Sequence, residues 1–250
     1  MNGAGTTSLQ RRLPVRRAGR PRLAPRVADR SRTWMEPREE ILDAAARLFV
    51  DRGVAATSTR NIADAVGIRQ SSLYYHFPSG KDEILAELLQ HSIRPTLDSI
   101  EKVETLGAET GVGPEVLLYL LVKLDVRTLA RAPHNVGVLT GLPEVQRKEV
   151  FGPFGAARQE LAAEYARLGA LVMNTDGRAP MSPAVADDLL GDLLLELVEV
   201  VIGLRSNGHR ISEGIESIIA TSCLQACMAD QARIDDAAAK AGELLKSLET

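Results

Sequence analysis

The sequence predicts an all-α fold, with a small N-terminal helical unit followed by a larger helical body. Apolar residues recur at the three- and four-residue spacing of amphipathic helices along most of the chain. Proline and glycine stand where these helices are expected to begin and end. Alternating apolar and polar residues never extend beyond about four positions, so strands are not expected.

Charge divides the chain unevenly. The 250 residues carry a formal net charge of −3, but residues 1–33 hold nine arginines against one acid, Asp29. This segment is poor in bulky apolar side chains and is predicted to be a disordered Arg-rich arm. A helix-turn-helix domain is predicted over residues 34–90, and a larger helical domain over residues 91–250.

Several classes of protein are not expected. The most apolar run, Leu189 to Leu204, is interrupted by acidic residues, so no membrane span is predicted. Cys223 and Cys227 lie four residues apart in a helical pattern, which fits a reducing cytoplasm better than a disulfide framework. No metal-ligand spacing, nucleotide-binding loop or nucleophile motif is present, so neither a metal, a cofactor nor an enzymatic activity is predicted.

The first helix is predicted to begin near Pro37 and to end at Gly53, with Glu39 and Glu40 in its first turn, where the helix dipole favours negative charge. Its buried stripe is predicted to be Ile41, Ala45, Leu48 and Phe49.

Residues 57–77 predict a helix-turn-helix. Two apolar faces at helical spacing are separated by Gly67, which can adopt the left-handed conformation that ends a helix. In such a motif the second helix can lie in the DNA major groove. The outward positions of that helix are Gln70, Ser71, Ser72, Tyr74, Tyr75 and His76.

The remaining sequence also predicts helices. Ser79 is expected to cap a helix that runs from Gly80 toward Val103, with a kink at Pro95. Further helices are predicted from Pro114 to about Arg131, near Glu144 to Glu149, from Pro153 to about Val172, from Ala184 to Arg205, and from about Ile211, after which an Ala-rich segment trails to the end.

The segments 38–53, 57–68 and 73–77, followed by Lys81, resemble the TetR family of transcriptional regulators. This resemblance implies a homodimer that binds a double-stranded DNA operator. It also implies that a small-molecule effector binds in the body and changes the spacing of the two DNA-binding domains. Most proteins of this kind are repressors released by their ligand, and a dimer would need a pseudo-palindromic operator.

The same resemblance implies roles for single residues. Gln70, Ser71, Ser72 and Tyr74 match positions that contact base edges, and Thr59, Tyr75, His76 and Lys81 match positions that contact phosphates. Arg60 matches a position that reaches either a base or a phosphate. Residues 78–80 precede Lys81, and this segment is one residue longer than in some members of the family.

The Arg-rich arm has more than one interpretation. Residues 16–23 resemble the Gly-Arg-Pro core of an AT-hook, which would place Arg17, Arg20 and Arg22 in an A·T-rich minor groove. The arm could instead neutralise phosphates without sequence preference, or be an unstructured leader. An alternative function is therefore that of an A·T-preferring architectural DNA-binding protein.

Two sets of residues in the body are predicted to form a ligand-binding site and a dimer interface. The alternative for both sets is that they are ordinary residues of the hydrophobic core. A cavity between helices of a bundle is usually apolar with few polar groups. The candidate ligand-binding residues are Tyr119, Val122, Asp125, Leu139, Phe151, Phe154, Tyr165 and Met173. Asp125 stands alone among apolar neighbours, so it could contact a ligand or pair with a basic residue. The candidate dimer interface consists of Leu193, Leu197, Val200, Leu204, Ile215, Ile218, Ser222 and Ala226.

Overall fold

The computed structural model describes residues 36–175, 183–212, 214–228 and 230–248, and over these ranges it confirms the predicted all-α fold. None of the residues in these ranges lies in a β-strand. The helices are α1 (Pro37–Arg52), α2 (Thr59–Val66), α3 (Gln70–His76), α4 (Lys81–Thr110), α5 (Pro114–Arg131), α6 (Pro143–Arg147), α7 (Gly152–Thr175), α8 (Pro183–Ser206), α9 (Ile215–Cys227) and α10 (Gln231–Leu248). Short 3-10 turns at Val136–Leu139 and Glu149–Phe151 lie on either side of α6.

Helices α1 to α3 contain the helix-turn-helix and lie at the N-terminal end of the described residues. Pro37 opens α1 and Gly53 ends it. The side chain of Ser58 caps α2 by accepting a hydrogen bond from the backbone N–H of Asn61, whose side chain returns the contact. Gly67 ends α2 in the left-handed conformation, with φ of 83°, as the sequence predicts.

Helix α4 differs from the prediction at both ends. Its N-cap residue is Gly80, so the predicted capping by Ser79 is wrong. The backbone N–H of Ser79 instead donates to the Glu83 carboxylate at 2.9 Å. The helix continues past Val103 to Thr110, with Leu106 partly buried against the core, and it ends where Gly111 turns left-handed. Pro95 lies inside the helix.

Helix α5 is the centre of the body, in contact with α4, α7, α8, α9 and α10. Half of its residues are buried, including two that are charged, Lys123 and Asp125. Because other helices surround α5, it has no broad solvent-exposed face. Its buried polar residues therefore need hydrogen-bonding or charged partners within the protein.

The C-terminal segment corrects the prediction. The helix expected from Ile211 begins at Ile215, and the Ala-rich segment forms the separate helix α10 instead of trailing. Alanine has the highest helix propensity, and a narrow apolar stripe on α10 is buried against the body. That stripe consists of Ile234, Ala237, Ala241 and Leu245.

The two cysteines are free thiols buried in α9. The Sγ of Cys227 is 3.3 Å from the position that a Cβ would take at Gly169, so α7 and α9 approach closely here. Burial, with a smaller contribution from Cys227, raises the pKa of the Cys223 thiol to about 12. Both cysteines therefore act as small packing residues of α9. None of the described helices is long and apolar enough to cross a membrane.

Candidate DNA interface and effector cavity

Helix α3 has one buried face and one exposed face. Leu73 and Phe77 are 0% exposed and belong to the core formed with α1, α2 and the start of α4. The predicted outward residues lie on the other side, where Tyr75 is 83% exposed and Tyr74 is 43% exposed. Gln70, Ser71 and Ser72 are also exposed, and His76 is half-buried.

Thr59, at the start of α2, organises the exposed face of α3. Its Oγ1 accepts a hydrogen bond from Gln70 Nε2 at 3.0 Å and lies 3.3 Å from the hydroxyl of Tyr74. The ring of Tyr74 covers Gly80, where a Cβ would come within 3.3 Å of the ring. Thr59 therefore holds two predicted base-contacting side chains before any DNA is bound.

The other predicted phosphate-contacting residues differ in their surroundings. Arg60 is exposed and has only a long ion pair with Asp64, at 3.9 Å, which leaves it available to DNA. The ammonium of Lys81 donates to the carbonyl oxygens of Val54, at 2.6 Å, and Thr57, at 3.1 Å. Two of its three donors therefore fasten α4 to the α1–α2 loop, and one remains for a phosphate.

Arg38 is a further residue of this unit that the sequence analysis does not predict. Its guanidinium donates to the His76 carbonyl at the end of α3, pairs with Glu87 of α4 and lies 4.1 Å from the centroid of the Phe77 ring. A basic residue in the first turn of α1 opposes the helix dipole, and this is the one sequence signal that could have indicated it. The predicted arm, with Arg17, Arg20 and Arg22, lies outside the described residues.

The polar centre of the body is built around Asp125, which is 3% exposed. Thr96 Oγ1 of α4 donates to one carboxylate oxygen at 2.8 Å, and Tyr165 Oη of α7 donates to the other at 2.9 Å. Burial raises the pKa of Asp125 to about 6, although both hydrogen bonds and the charge of Arg158 oppose that rise. Of the two alternatives for Asp125, ligand contact or pairing with a basic residue, the described hydrogen bonds do not show the second, because both donors are hydroxyl groups.

An inner cavity of about 30 Å³ adjoins Asp125, and an outer groove of about 620 Å³ lies beside it. Among the predicted ligand-binding residues, Asp125 and Phe154 line the cavity, while Phe151 and Phe154 line the groove. The remaining ones, Tyr119, Val122, Leu139, Tyr165 and Met173, line neither. The hydroxyl of Tyr119 donates to the Ser217 carbonyl at 3.3 Å, on the side of α5 that faces α9.

Glu199 and Arg158 also belong to this region, and the sequence analysis names neither. Glu199 of α8 lines both the cavity and the groove. Burial raises the pKa of its carboxyl, against the opposing effect of the Arg158 charge. Arg158 of α7 binds the carboxylates of Glu199 and of Glu196, the latter at 3.0 Å. In the part of the chain that the structure describes, no three metal-ligating side chains come together.

The candidate dimer interface is an uncovered apolar surface on α8 and α9. Leu193 and Val200 are each 48% exposed, and Ile218 is 63% exposed. The internal core of α8 is instead its opposite face, formed by Leu194, Leu195, Val198 and Val201. The other predicted members, Leu197, Leu204, Ile215 and Ser222, are half-buried, and Ala226 is exposed.

This architecture defines a class: an N-terminal helix-turn-helix with an exposed recognition helix, followed by a helical body that holds a polar cavity. Residues 41–88 match the family described as "Bacterial regulatory proteins, tetR family". The crystal structure of Mycobacterium smegmatis AmtR is 36% identical in sequence, covers 84% of this chain and 96% of AmtR, and has a TM-score of 0.70. The chain belongs to the TetR family.

Two further relatives show how far the similarity reaches. The HTH-type transcriptional repressor KstR2 of Rhodococcus jostii is 35% identical over 96 residues, which are 38% of this chain and 47% of KstR2. The chain thus matches less than half the length of this curated relative. The structure of AibR in complex with isovaleryl coenzyme A and operator DNA is 18% identical, covers 76% of this chain and 96% of AibR, and has a TM-score of 0.54. At that identity the likeness to AibR shows the fold alone.

Proposed function

We propose that the protein is a ligand-responsive transcriptional repressor of the cytoplasm, which binds a pseudo-palindromic operator as a homodimer and is released by a small-molecule effector. One observation carries the proposal: Leu73 of α3 and Phe77, which directly follows the helix, are completely buried, while the opposite face of α3 is polar and exposed. An α-helix fits the B-DNA major groove, and glutamine, serine and tyrosine can hydrogen-bond there.

The hydrogen bonds of Thr59 support this role for α3. Because Gln70 and Tyr74 are already held by Thr59, less side-chain freedom is lost when they meet base edges. The backbone around α3 is fixed as well, since Arg38 links its last turn to α4 and Lys81 links α4 to the α1–α2 loop. The recognition helix and α4 are therefore expected to move as one body.

Helix α4 also supports the effector response, because it belongs to both parts of the molecule. Its first turns pack against α1, and Thr96 further along binds Asp125 in the body. A ligand that favours a second arrangement of the body would shift α4 and, in a dimer, the distance between the recognition helices. AibR, which shares the fold, binds both isovaleryl coenzyme A and operator DNA.

The proposal is tested by selecting a preferred site from random double-stranded DNA, then measuring binding by fluorescence anisotropy. We expect an inverted repeat. The Gln70→Ala variant should bind it about 1–3 kcal/mol more weakly and discriminate less against altered bases. Gln146→Ala, which removes an exposed glutamine from the body, is the matched control and should bind as the wild type does.

Tyr75→Ala separates phosphate contact from base contact. It should weaken binding to the selected site and to a scrambled duplex alike, because a phosphate contact carries no sequence information. The wild type should prefer the selected site by at least about a thousandfold at physiological salt. Equal affinity for both duplexes would contradict the proposal and favour the A·T-preferring architectural function of the arm.

A further inference from the structure

The carboxylate of Asp125 is enclosed at the junction of three helices, and no lysine, arginine or histidine among the described residues forms an ion pair with it. Its two hydrogen-bond donors, the hydroxyls of Thr96 and Tyr165, are uncharged. A buried charge is normally compensated by an opposite charge, and a carboxylate has about four lone-pair positions, of which these hydroxyls occupy two. Asp125 therefore retains both charge and acceptor capacity for a further group.

The inner cavity is acidic. Asp125 and Glu199 both line it, and its described lining includes no lysine, arginine or histidine. Arg158 is the nearby cation, but it already binds Glu199 and Glu196, so its single charge faces two carboxylates before Asp125 is considered. Both charged residues that line the cavity itself are therefore acidic, whereas the lining of the adjoining groove also includes Arg147 and Lys148.

The size and connections of the cavity limit what can enter. Its volume of about 30 Å³ exceeds the roughly 10–15 Å³ that one water needs, so it has room for a single small head group. Thr140, Phe154 and Glu199 line both the cavity and the outer groove of about 620 Å³, which can take the remainder of a ligand. Phe154 places an aromatic ring at this junction, and aromatic faces attract cations.

We propose that Asp125 binds the protonated amino group of a small organic amine, whose head enters the inner cavity and whose tail lies in the outer groove. The ammonium donates to the carboxylate of Asp125 and to the side-chain oxygens of Thr140 and Glu199, which line the same cavity. A neutral or anionic head group of the same size lacks the charge that this site requires.

The site also has a direct connection to α4. Thr96 donates a hydrogen bond to one carboxylate oxygen of Asp125, and an ammonium that binds the same carboxylate offsets its negative charge and so weakens that bond. Weakening this bond removes one polar link between α4 and α5, which otherwise pack together through apolar contacts. This consequence rests on the proposed function, whereas amine binding itself does not.

The experiment measures binding of n-butylammonium chloride to the full-length protein by isothermal titration calorimetry at pH 7.5, with n-butanol as the neutral probe of similar length. We expect saturable binding of butylammonium and at least about tenfold weaker binding of butanol. Asp125→Asn should lose at least about tenfold in butylammonium affinity. Asp98→Asn, which removes an exposed carboxylate from α4, should bind as the wild type does.

Thr96→Val keeps the proposal testable if Asp125→Asn does not fold. It leaves the carboxylate with one donor fewer, so butylammonium should bind at least as tightly as to the wild type, while its effect on operator affinity should fall. Equal binding of butanol, unchanged binding in a folded Asp125→Asn variant or loss of binding in Thr96→Val would overturn the proposal. Amine binding through Asp125 without any change in DNA affinity would confirm the site and count against the proposed function instead.

Discussion

Several polar residues of the candidate sites already form hydrogen bonds within the protein. Lys81 uses two donors to hold the carbonyls of Val54 and Thr57, and Thr59 accepts from Gln70. Asp125 is the most costly case, because its carboxylate is almost fully buried with only hydroxyl donors. Its charge therefore opposes folding, and that cost should be visible in the pH dependence of stability.

We expect the free energy of unfolding to fall as the pH rises from about 4 to about 6 because of Asp125. Burial raises the pKa of this carboxyl from 3.8 to about 6, so the folded state holds a proton that the unfolded state has released. The loss approaches about 3 kcal/mol, since one pKa unit corresponds to about 1.4 kcal/mol. Urea denaturation at several pH values, compared between wild type and Asp125→Asn, measures it.

The comparison must use the difference between the two proteins, because the pKa of Glu199 is raised too and contributes with the same sign. The stability of Asp125→Asn relative to the wild type should increase across this interval and stay constant above it. Thr96→Val should extend the upper end of the interval to higher pH, since it removes a hydrogen bond that favours the charged form in the folded state and leaves the unfolded chain unchanged. Parallel curves for wild type and Asp125→Asn would contradict the expectation.

At the scale of helices, the sequence was most informative where it marked both ends. Helix α1 begins at Pro37 and ends before Gly53, and Gly67 separates α2 from α3. Each of these residues has a backbone preference that acts locally. Helix α10 was missed because its buried stripe is mostly alanine, which gives a weak periodic signal. Stripes of this kind are recognised only when a partner helix is known to cover them.

The candidate site was predictable to a smaller extent. Asp125 was identifiable as an acid among apolar neighbours, but Thr96 precedes it by 29 residues and Tyr165 follows it by 40. Contacts between helices this far apart depend on helix packing, which no local pattern encodes. The same holds for Arg38 and Glu87, separated by 49 residues, which join α1 to α4.

Helices α7 and α8 approach each other closely at Gly191, and we expect Gly191→Ala to destabilise the protein. A Cβ there would lie 2.1 Å from the carbonyl oxygen of Ala162, which belongs to the backbone of α7 and can yield only if the helices separate. The cost should be about 2 kcal/mol or more, in the range of overpacked cores. Urea denaturation followed by circular dichroism measures it.

Gly242→Ala is the matched control for Gly191→Ala. Gly242 lies inside α10, and a Cβ at that position has no atom within 4 Å. Alanine should therefore stabilise α10 by up to about 1 kcal/mol through its higher helix propensity. If both variants lower the stability equally, the close approach of α7 and α8 does not explain the effect.

At the scale of the molecule, the DNA-binding unit is joined to the body by more than the continuous helix α4. Asp43 of α1 lies 2.8 Å from the imidazole of His134, and Asp82 at the start of α4 is 2.7 Å from the ammonium of Lys148. Thr96 lies 15 residues beyond Lys81, or about 22 Å along the helix. A change at Asp125 can therefore move the recognition helix in two ways: along the continuous helix α4, and through the two polar contacts between the body and the DNA-binding unit.

Such a movement regulates DNA binding only if two recognition helices are held at a fixed distance, so the apolar surface of α8 and α9 should be the dimer interface. Leu193 and Ile218 are exposed apolar residues on this surface, and the double variant Leu193→Glu with Ile218→Glu should shift the protein from dimer to monomer. Like charges would be forced into the part of an interface from which charge is normally depleted. Sedimentation velocity at micromolar concentration measures the change.

Val150→Glu is the matched control, because it places the same charge on an exposed apolar position of the body outside this surface, and this variant should remain dimeric. A monomeric wild type, or a double variant that still sediments as a dimer, would show that α8 and α9 do not join the subunits.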